Sequence, residues 1–220
     1  MKFTSSLFLI LLLSFFAHAE KGLIATQKYS DANTSANITV TWYVTESNCK
    51  MKMEFSDGTV NSVNWFIADA TNAQLLTYTE GAVPSGVAKT YFTIPIQNIK
   101  GDKVLGTSRV KVQKTGETKS LSGFNCEKLI VTTGQNTTEM WVTKDFSAGF
   151  FKFASFFQSS FELAGLSEER IGGFPLQSTT SAIGGKVINS YSLISASSSE
   201  LNATDFTVPA EYQTAEKGKN

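Results

Sequence analysis

Gly123-Phe124-Asn125-Cys126-Glu127-Lys128-Leu129-Ile130-Val131 and Glu139-Met140-Trp141-Val142-Thr143-Lys144-Asp145 read as the two arms of a β-hairpin, joined by a polar turn at Gly134 to Asn136. The period then changes. Phe146, Phe150, Phe153, Phe157 and Phe161 follow at spacings of four, three, four and four, which places five rings on one stripe of a helix. Phe151, Phe156 and Leu163 widen that stripe, and Gly165 supplies a stop. Gly172-Gly173-Phe174-Pro175-Leu176 restarts the sheet. Strands, one apolar helix and strands again predict a mainly β (α+β) domain, in which a strongly curved antiparallel sheet, or half-barrel, is closed by a Phe-rich helix.

Upstream, Gly22 to Ser30 reads as a first strand. Ile38, Val40, Trp42 and Val44 alternate with Thr39, Thr41, Tyr43 and Thr45, the two-residue period of a half-buried strand. Cys49, Met51, Met53 and Phe55 alternate with Lys50, Lys52 and Glu54 in the same way, and Asp57-Gly58 closes that strand with a turn. Val63 to Ala68 and Leu75 to Thr79 are shorter strands, and Val83 to Val87 is a loop. Tyr91 to Ile96 is blunted by Pro95 and so belongs at an edge or bend. Val104 to Val112 follows as a strand. Downstream, Lys186 to Ser199 is a long strand with apolar residues on both faces, and Leu201 to Tyr212 is expected to supply a final one.

The N-terminus carries the marks of a targeting segment. Lys2 gives a positive n-region, Leu7 to Phe16 an apolar h-region, and Ala17-His18-Ala19 a small-residue cleavage site. The expected division is therefore a signal peptide over 1–19, a single β-rich domain over 20–213 and a polar tail over 214–220. The expected location is periplasmic or extracellular, soluble after cleavage and without an integral membrane span. The 19 basic residues balance 19 acidic ones, and no basic run stands out, so there is no electrostatic case for nucleic acid.

The one histidine of the chain, His18, lies inside the targeting segment. A mature chain without imidazole cannot build a Ser-His-Asp or Cys-His nucleophile, nor a histidine-containing zinc site. No catalytic residue, cofactor or metal is assigned. Cys49-x-Met51-x-Met53 sets three sulfur atoms on one strand face, but methionine there serves as an adaptable core filler. Two cysteines in an exported chain permit one disulfide, Cys49 with Cys126; two buried free thiols are the other reading.

The blocks Gly123-Phe124-x-Cys126-x-Lys128-Leu129 and Glu139-x-Trp141-Val142-Thr143-Lys144-Asp145 resemble a family of exported bacterial proteins filed as a domain of unknown function and common in Bacteroidetes-type genomes. Gly173-Phe174-Pro175-Leu176 and Phe206-x-Val208-Pro209-x-x-Tyr212 are similar to it too. That family is similar in organisation to the periplasmic lipoprotein carriers (LolA/LolB-like). The resemblance implies a curved antiparallel sheet closed by helices over an apolar cavity, and a tendency to bind acyl groups. The carriers latch their lid with an early-strand arginine, whereas the arginines here are Arg109 and Arg170.

The expectation is an exported, non-enzymatic binding protein holding a lipid, lipoprotein acyl chain or other hydrophobic small molecule between sheet and helix. Trp42, Met51, Met53, Trp141, Phe150, Phe153, Phe157 and Phe161 would line the cavity, and Trp65 has an ambiguous facing. The alternative is a structural or interaction protein of the cell envelope with a filled core. A histidine-free hydrolase is the third reading.

Overall fold

Alternation in the early strands dictates their register. In β2 (Asn37–Val44) and β3 (Cys49–Ser56), Val44 lies opposite Cys49, Trp42 opposite Met51 and Val40 opposite Met53. One face of the hairpin is therefore apolar throughout, and slipping it by one residue would turn that face to water. The computed structural model describes residues 19–34, 37–56, 61–69, 71–72, 74–81, 89–95, 110–146, 149–151 and 171–215.

These residues form one large curved sheet. The first meander runs from β1 (Glu20–Asp31) through β2 and β3 to β4 (Asn61–Asp69), β5 (Gln74–Glu80) and β6 (Thr90–Pro95). A second comprises β7 (Lys111–Leu121), β8 (Phe124–Thr133), β9 (Asn136–Thr143), β10 (Phe174–Ala182) and β11 (Val187–Leu201). Long β11 pairs antiparallel with β1, from Glu20 opposite Leu201 to Asp31 opposite Asn189, and so joins the two meanders at the centre of the sheet. After β11 the chain makes a 3-10 turn, Ala203–Phe206. It then crosses to the far edge, where β12 (Gln213–Thr214) pairs parallel with Thr90 and Tyr91 of β6. We call residues 202–215 the strap.

The expected hairpin is β8 with β9, its loop the two residues Gly134 and Gln135 between Thr133 and Asn136. A hairpin that sequence reading did not assign precedes it. β7 meets β8 through Ser122 (φ 49°) and Gly123 (φ 84°), both left-handed. Two positive φ values in a two-residue loop match the right-handed twist of the flanking strands. The strand expected over Val104 to Val112 lies largely outside the described residues, and the strand in place there, β7, begins at Lys111. The final strand expected over Leu201 to Tyr212 is instead the 3-10 turn and an irregular crossing, with pairing delayed to Gln213.

Among the described residues, helix is confined to 149–151, Ile171 and the 3-10 turn. Of the predicted phenylalanine stripe, Phe153, Phe156, Phe157, Phe161 and Leu163 lie outside the described residues. Phe146 and Phe150 lie within them and are buried. Phe146 holds φ 62°, a left-handed conformation that costs a residue with a Cβ roughly 1–2 kcal/mol, in order to turn the chain out of β9. Gly149 then sits against the Thr45 and Asn48 carbonyls, where any Cβ would collide.

The largest core cluster joins both meanders. Leu23, Ala25, Val40, Trp42, Val44 and Met51 of β1–β3 pack with Cys126, Phe146, Phe150, Phe174 and Leu176. A smaller cluster on β8 and β9, with Leu129, Val131, Met140 and Val142, receives Ile171. Cys49 and Cys126 are both buried free thiols, the second of the two readings of this pair. The Cys126 thiol donates to the Phe124 carbonyl at 3.6 Å, within its own strand.

Candidate functional site

On one face of the first meander, Ala25, Trp42, Met51 and Phe66 lie opposite one another across β1 to β4. The Trp42 ring meets Phe150 edge-on at a centroid distance of 5.5 Å and Phe174 at 5.9 Å, and those two phenylalanines are 4.9 Å apart. Such edge-to-face pairs add about 0.5–1.5 kcal/mol each beyond the area they bury. Trp42 Nε1 donates to Gln27 Oε1 at 2.9 Å. Gln27 Nε2 donates to the Pro175 carbonyl at 3.0 Å and the Leu176 carbonyl at 2.8 Å. This buried glutamine thus bonds the start of β10 to the tryptophan of β2.

Of the predicted lining residues, Trp42, Met51 and Phe150 come together in this cluster, packed on protein. Met53 is half-buried at its border. Trp141 also borders it, half-buried, with Lys119 Nζ 4.1 Å from the ring centroid. Phe153, Phe157 and Phe161 lie outside the described residues. The same face continues outward. Phe66 lies opposite Thr77 and Thr77 opposite Phe92, while Ala68 lies opposite Leu75 and Leu75 opposite Ile94. Phe92 is 57% exposed and Ile94 50%. The Trp42 face therefore runs from a packed centre to an open apolar margin on β6. Sequence reading did not name those two residues, although the Tyr91-Phe92-Thr93-Ile94 alternation carries the signal.

The opposite face is aromatic and cationic. Trp65 stacks on Tyr78 at 6.1 Å and 15° and tilts against Tyr43 at 6.0 Å, and Tyr78 meets Tyr212 of the strap at 4.6 Å. Lys50 Nζ stands 4.2 Å from the Trp65 centroid and donates to the Asp205 carbonyl at 3.2 Å. Burial pulls the Lys50 pKa down, against Glu80 and Asp205. Burial pushes the Tyr43, Tyr78 and Tyr212 phenols up. Phe206, Val208 and Tyr212 of the strap close over Ile67, Tyr78 and Leu201. Trp65 belongs to this face, which settles its ambiguous facing.

A groove of about 550 Å3 opens where the strap leaves this face, between the β2–β3 turn and the end of β4. Asn48, Asp69 and Thr71 border it on the sheet side, and Leu76, Tyr91 and Val208 are among its apolar walls. These residues come from four separate stretches of sequence, so no local pattern marks them.

The Cys49 thiol is pushed well up by burial and Cys126 is raised by the same cause, against Lys119. Both are therefore protonated and poor nucleophiles near neutral pH. Among the described residues, no group of three His, Cys, Asp or Glu side chains is placed to hold a metal ion, and no helix is long and apolar enough to cross a membrane.

Solved structures resemble the chain at low identity. PNGF-II in its P21 crystal form aligns at 12% identity and TM-score 0.44, over 90% of this chain and 31% of that one. The Pseudomonas aeruginosa MucA/MucB complex aligns at 12% and 0.48, over 90% and 59%. An uncharacterized conserved protein from Thermus thermophilus aligns at 12% and 0.48, over 90% and 91%. The chain thus spans less than a third of the PNGF-II chain and under two thirds of the second. None of the curated proteins matches the sequence. The family model described as "Domain of unknown function (DUF4412)" matches residues 21–212, from the first strand to the Tyr212 anchor of the strap, and the chain belongs to that family.

Proposed function

We propose that this chain is an exported, non-enzymatic binding protein that takes a lipid, an acyl chain or another apolar ligand on the Trp42 face of its sheet. The observation that carries this reading is the margin at Phe92 and Ile94. Two large apolar side chains stand half exposed on the same face as the buried core. Each CH2 moved from water onto such a surface is worth about 0.8 kcal/mol. A long acyl chain gains on the order of 10 kcal/mol before the costs of association, without any reacting group.

The test is native mass spectrometry of protein extracted under mild conditions, with displacement of a fluorescent fatty acid in solution. A co-purifying lipid and saturable displacement are expected. Phe92→Glu together with Ile94→Lys should weaken the fatty acid about tenfold or more, since each ring or branched chain is worth about 1.5–3 kcal/mol when covered. The second reading, an interaction protein with a filled core, is favoured by the Trp42–Phe150–Phe174 packing. A clean apo mass with no displacement would select it over the first.

A further inference from the structure

The groove beneath the strap lies away from the Phe92–Ile94 margin and has a different chemistry. We infer that it is a second binding site, for an uncharged molecule that presents both a ring face and hydroxyl groups, a short neutral oligosaccharide. Its volume, about 550 Å3, falls within the usual range of small-molecule sites, about 300–1,000 Å3.

Charge narrows the class. Among the described residues, no lysine or arginine lines the groove, so an anion would enter without a counter-charge from them. Asp69, the one carboxylate among the described lining residues, is already engaged. Its Oδ1 accepts from the Asn72 backbone N–H at 3.1 Å. Its Oδ2 accepts from Asn72 Nδ2 at 2.8 Å and Gln74 Nε2 at 2.9 Å. Against the opposing effect of burial, these bonds hold the carboxyl below its usual pKa, so it stays ionised and an acceptor, able to take a ligand hydroxyl on a remaining lone pair. The Lys50 ammonium, on the same face of the sheet, is held over Trp65 and on the Asp205 carbonyl.

The remaining lining fits a sugar better than a lipid. Tyr91 is half-buried with its hydroxyl accepting from Thr214 Oγ1 at 2.7 Å, so its ring is fixed by the strap. With Leu76 and Val208 it offers an apolar wall for the C–H face of a pyranose ring. Ser47, Asn48, Thr71 and Thr207, which carry short hydroxyl and amide groups, are also among the lining residues. Thr207 Oγ1 donates to the Thr204 carbonyl at 2.8 Å and keeps its lone pairs for a ligand hydroxyl. An acyl chain laid there would cover these groups without bonding them, at about 1–3 kcal/mol for each one stranded.

The experiment is saturation-transfer NMR and calorimetry on the whole chain with triacetylchitotriose, cellotriose, maltotriose and mannotriose at millimolar concentration. At least one should bind saturably, with transfer to its ring C–H protons. Tyr91→Ala should weaken it about tenfold. Thr71→Arg, placed on an exposed turn where folding is not at stake, should abolish binding by filling the groove. Fatty-acid displacement should be the same in Thr71→Arg as in the parent, which separates this site from the apolar margin. The inference is overturned if none of the four sugars binds, if Thr71→Arg binds as well as the parent, or if the fatty acid displaces the sugar.

Discussion

Trp42 and Trp65 sit two strands apart in one meander and face opposite ways, and the chain treats them differently. Trp42 is 5% exposed, packed against Phe150 and Phe174, with its N–H given to Gln27. Trp65 is half-buried beneath Lys50, and its Nε1, itself buried, meets no hydrogen-bond partner among the described residues. The difference follows from what covers each face. Over Trp42 lie segments of the second meander, which can bring both apolar area and backbone carbonyls. Among the described residues, a single strap runs over the Trp65 face, held by Phe206, Tyr212 and a two-residue pairing. A strap supplies area but few acceptors, so cations and phenols fill in. Stability should therefore concentrate at the Trp42 seam, and local opening at the strap.

The largest expected effect comes from cutting the seam. Phe174→Ala should destabilise by about 3–5 kcal/mol, read as a lower urea midpoint. Tyr212→Ala, at a position that is also buried, should cost less, about 1–3 kcal/mol, because the strap can lift away while the sheet survives. Equal losses would mean that strap and seam unfold together, and the comparison would fail. Gln27→Leu comes next. It strands the Trp42 N–H and the Pro175 and Leu176 carbonyls in a buried setting, at about 3 kcal/mol in total. A cost near zero would show that the glutamine is not the tie between β2 and β10.

Alkaline pH probes the strap face. The Tyr43, Tyr78 and Tyr212 phenols are raised by burial, so the folded state holds their protons more tightly than the unfolded chain does. Their contribution is complete below the ordinary phenol value of about 10 and is lost as pH climbs through the raised values. Lys50, lowered by burial, acts with the opposite sign: stability gains as pH rises toward the ordinary lysine value. Above the ordinary phenol value of about 10 three groups oppose one, so the urea midpoint should fall as pH rises further. Part of the phenolate absorbance near 295 nm should appear only with unfolding. Free titration of every tyrosine in the folded state would contradict the burial of this face.

Much of the first meander was legible because β2 and β3 alternate without a break, and the β8–β9 pair because its loop is short and polar. β7 was missed for a physical reason. Gln113-Lys114-Thr115-Gly116-Glu117-Thr118-Lys119 carries no apolar period, since an edge strand with charged side chains is protected rather than buried. The strap was misread as a strand because Phe206-Thr207-Val208 has the composition of one while its backbone crosses the sheet instead of pairing along it. The pairing of β1 with β11 spans almost the whole chain, and no local signal encodes it. For the same reason the groove, assembled from residues as far apart as Asn48 and Val208, was invisible, and so was the part played by Gln27. The tryptophan, methionine and Phe150 positions on the core face were legible, because apolar alternation reports burial. It does not report whether the buried face is filled.

The smallest effect gives the sharpest comparison. Trp→Phe at either position removes the same indole N–H and the same slice of apolar area. At Trp42 it also leaves Gln27 Oε1 without its donor, adding about 1–3 kcal/mol to the packing loss. At Trp65 it removes a buried donor that was already unpaired. The relief, about 1–3 kcal/mol by the same rule, offsets the lost area and a cation–π contact with Lys50 worth about 0.5–2 kcal/mol. Trp65→Phe should therefore unfold within about 1 kcal/mol of the parent, while Trp42→Phe falls roughly 2 kcal/mol or more below it. If the two substitutions cost the same, the hydrogen bond to Gln27 contributes nothing net, and the contrast between the two faces reduces to buried area alone.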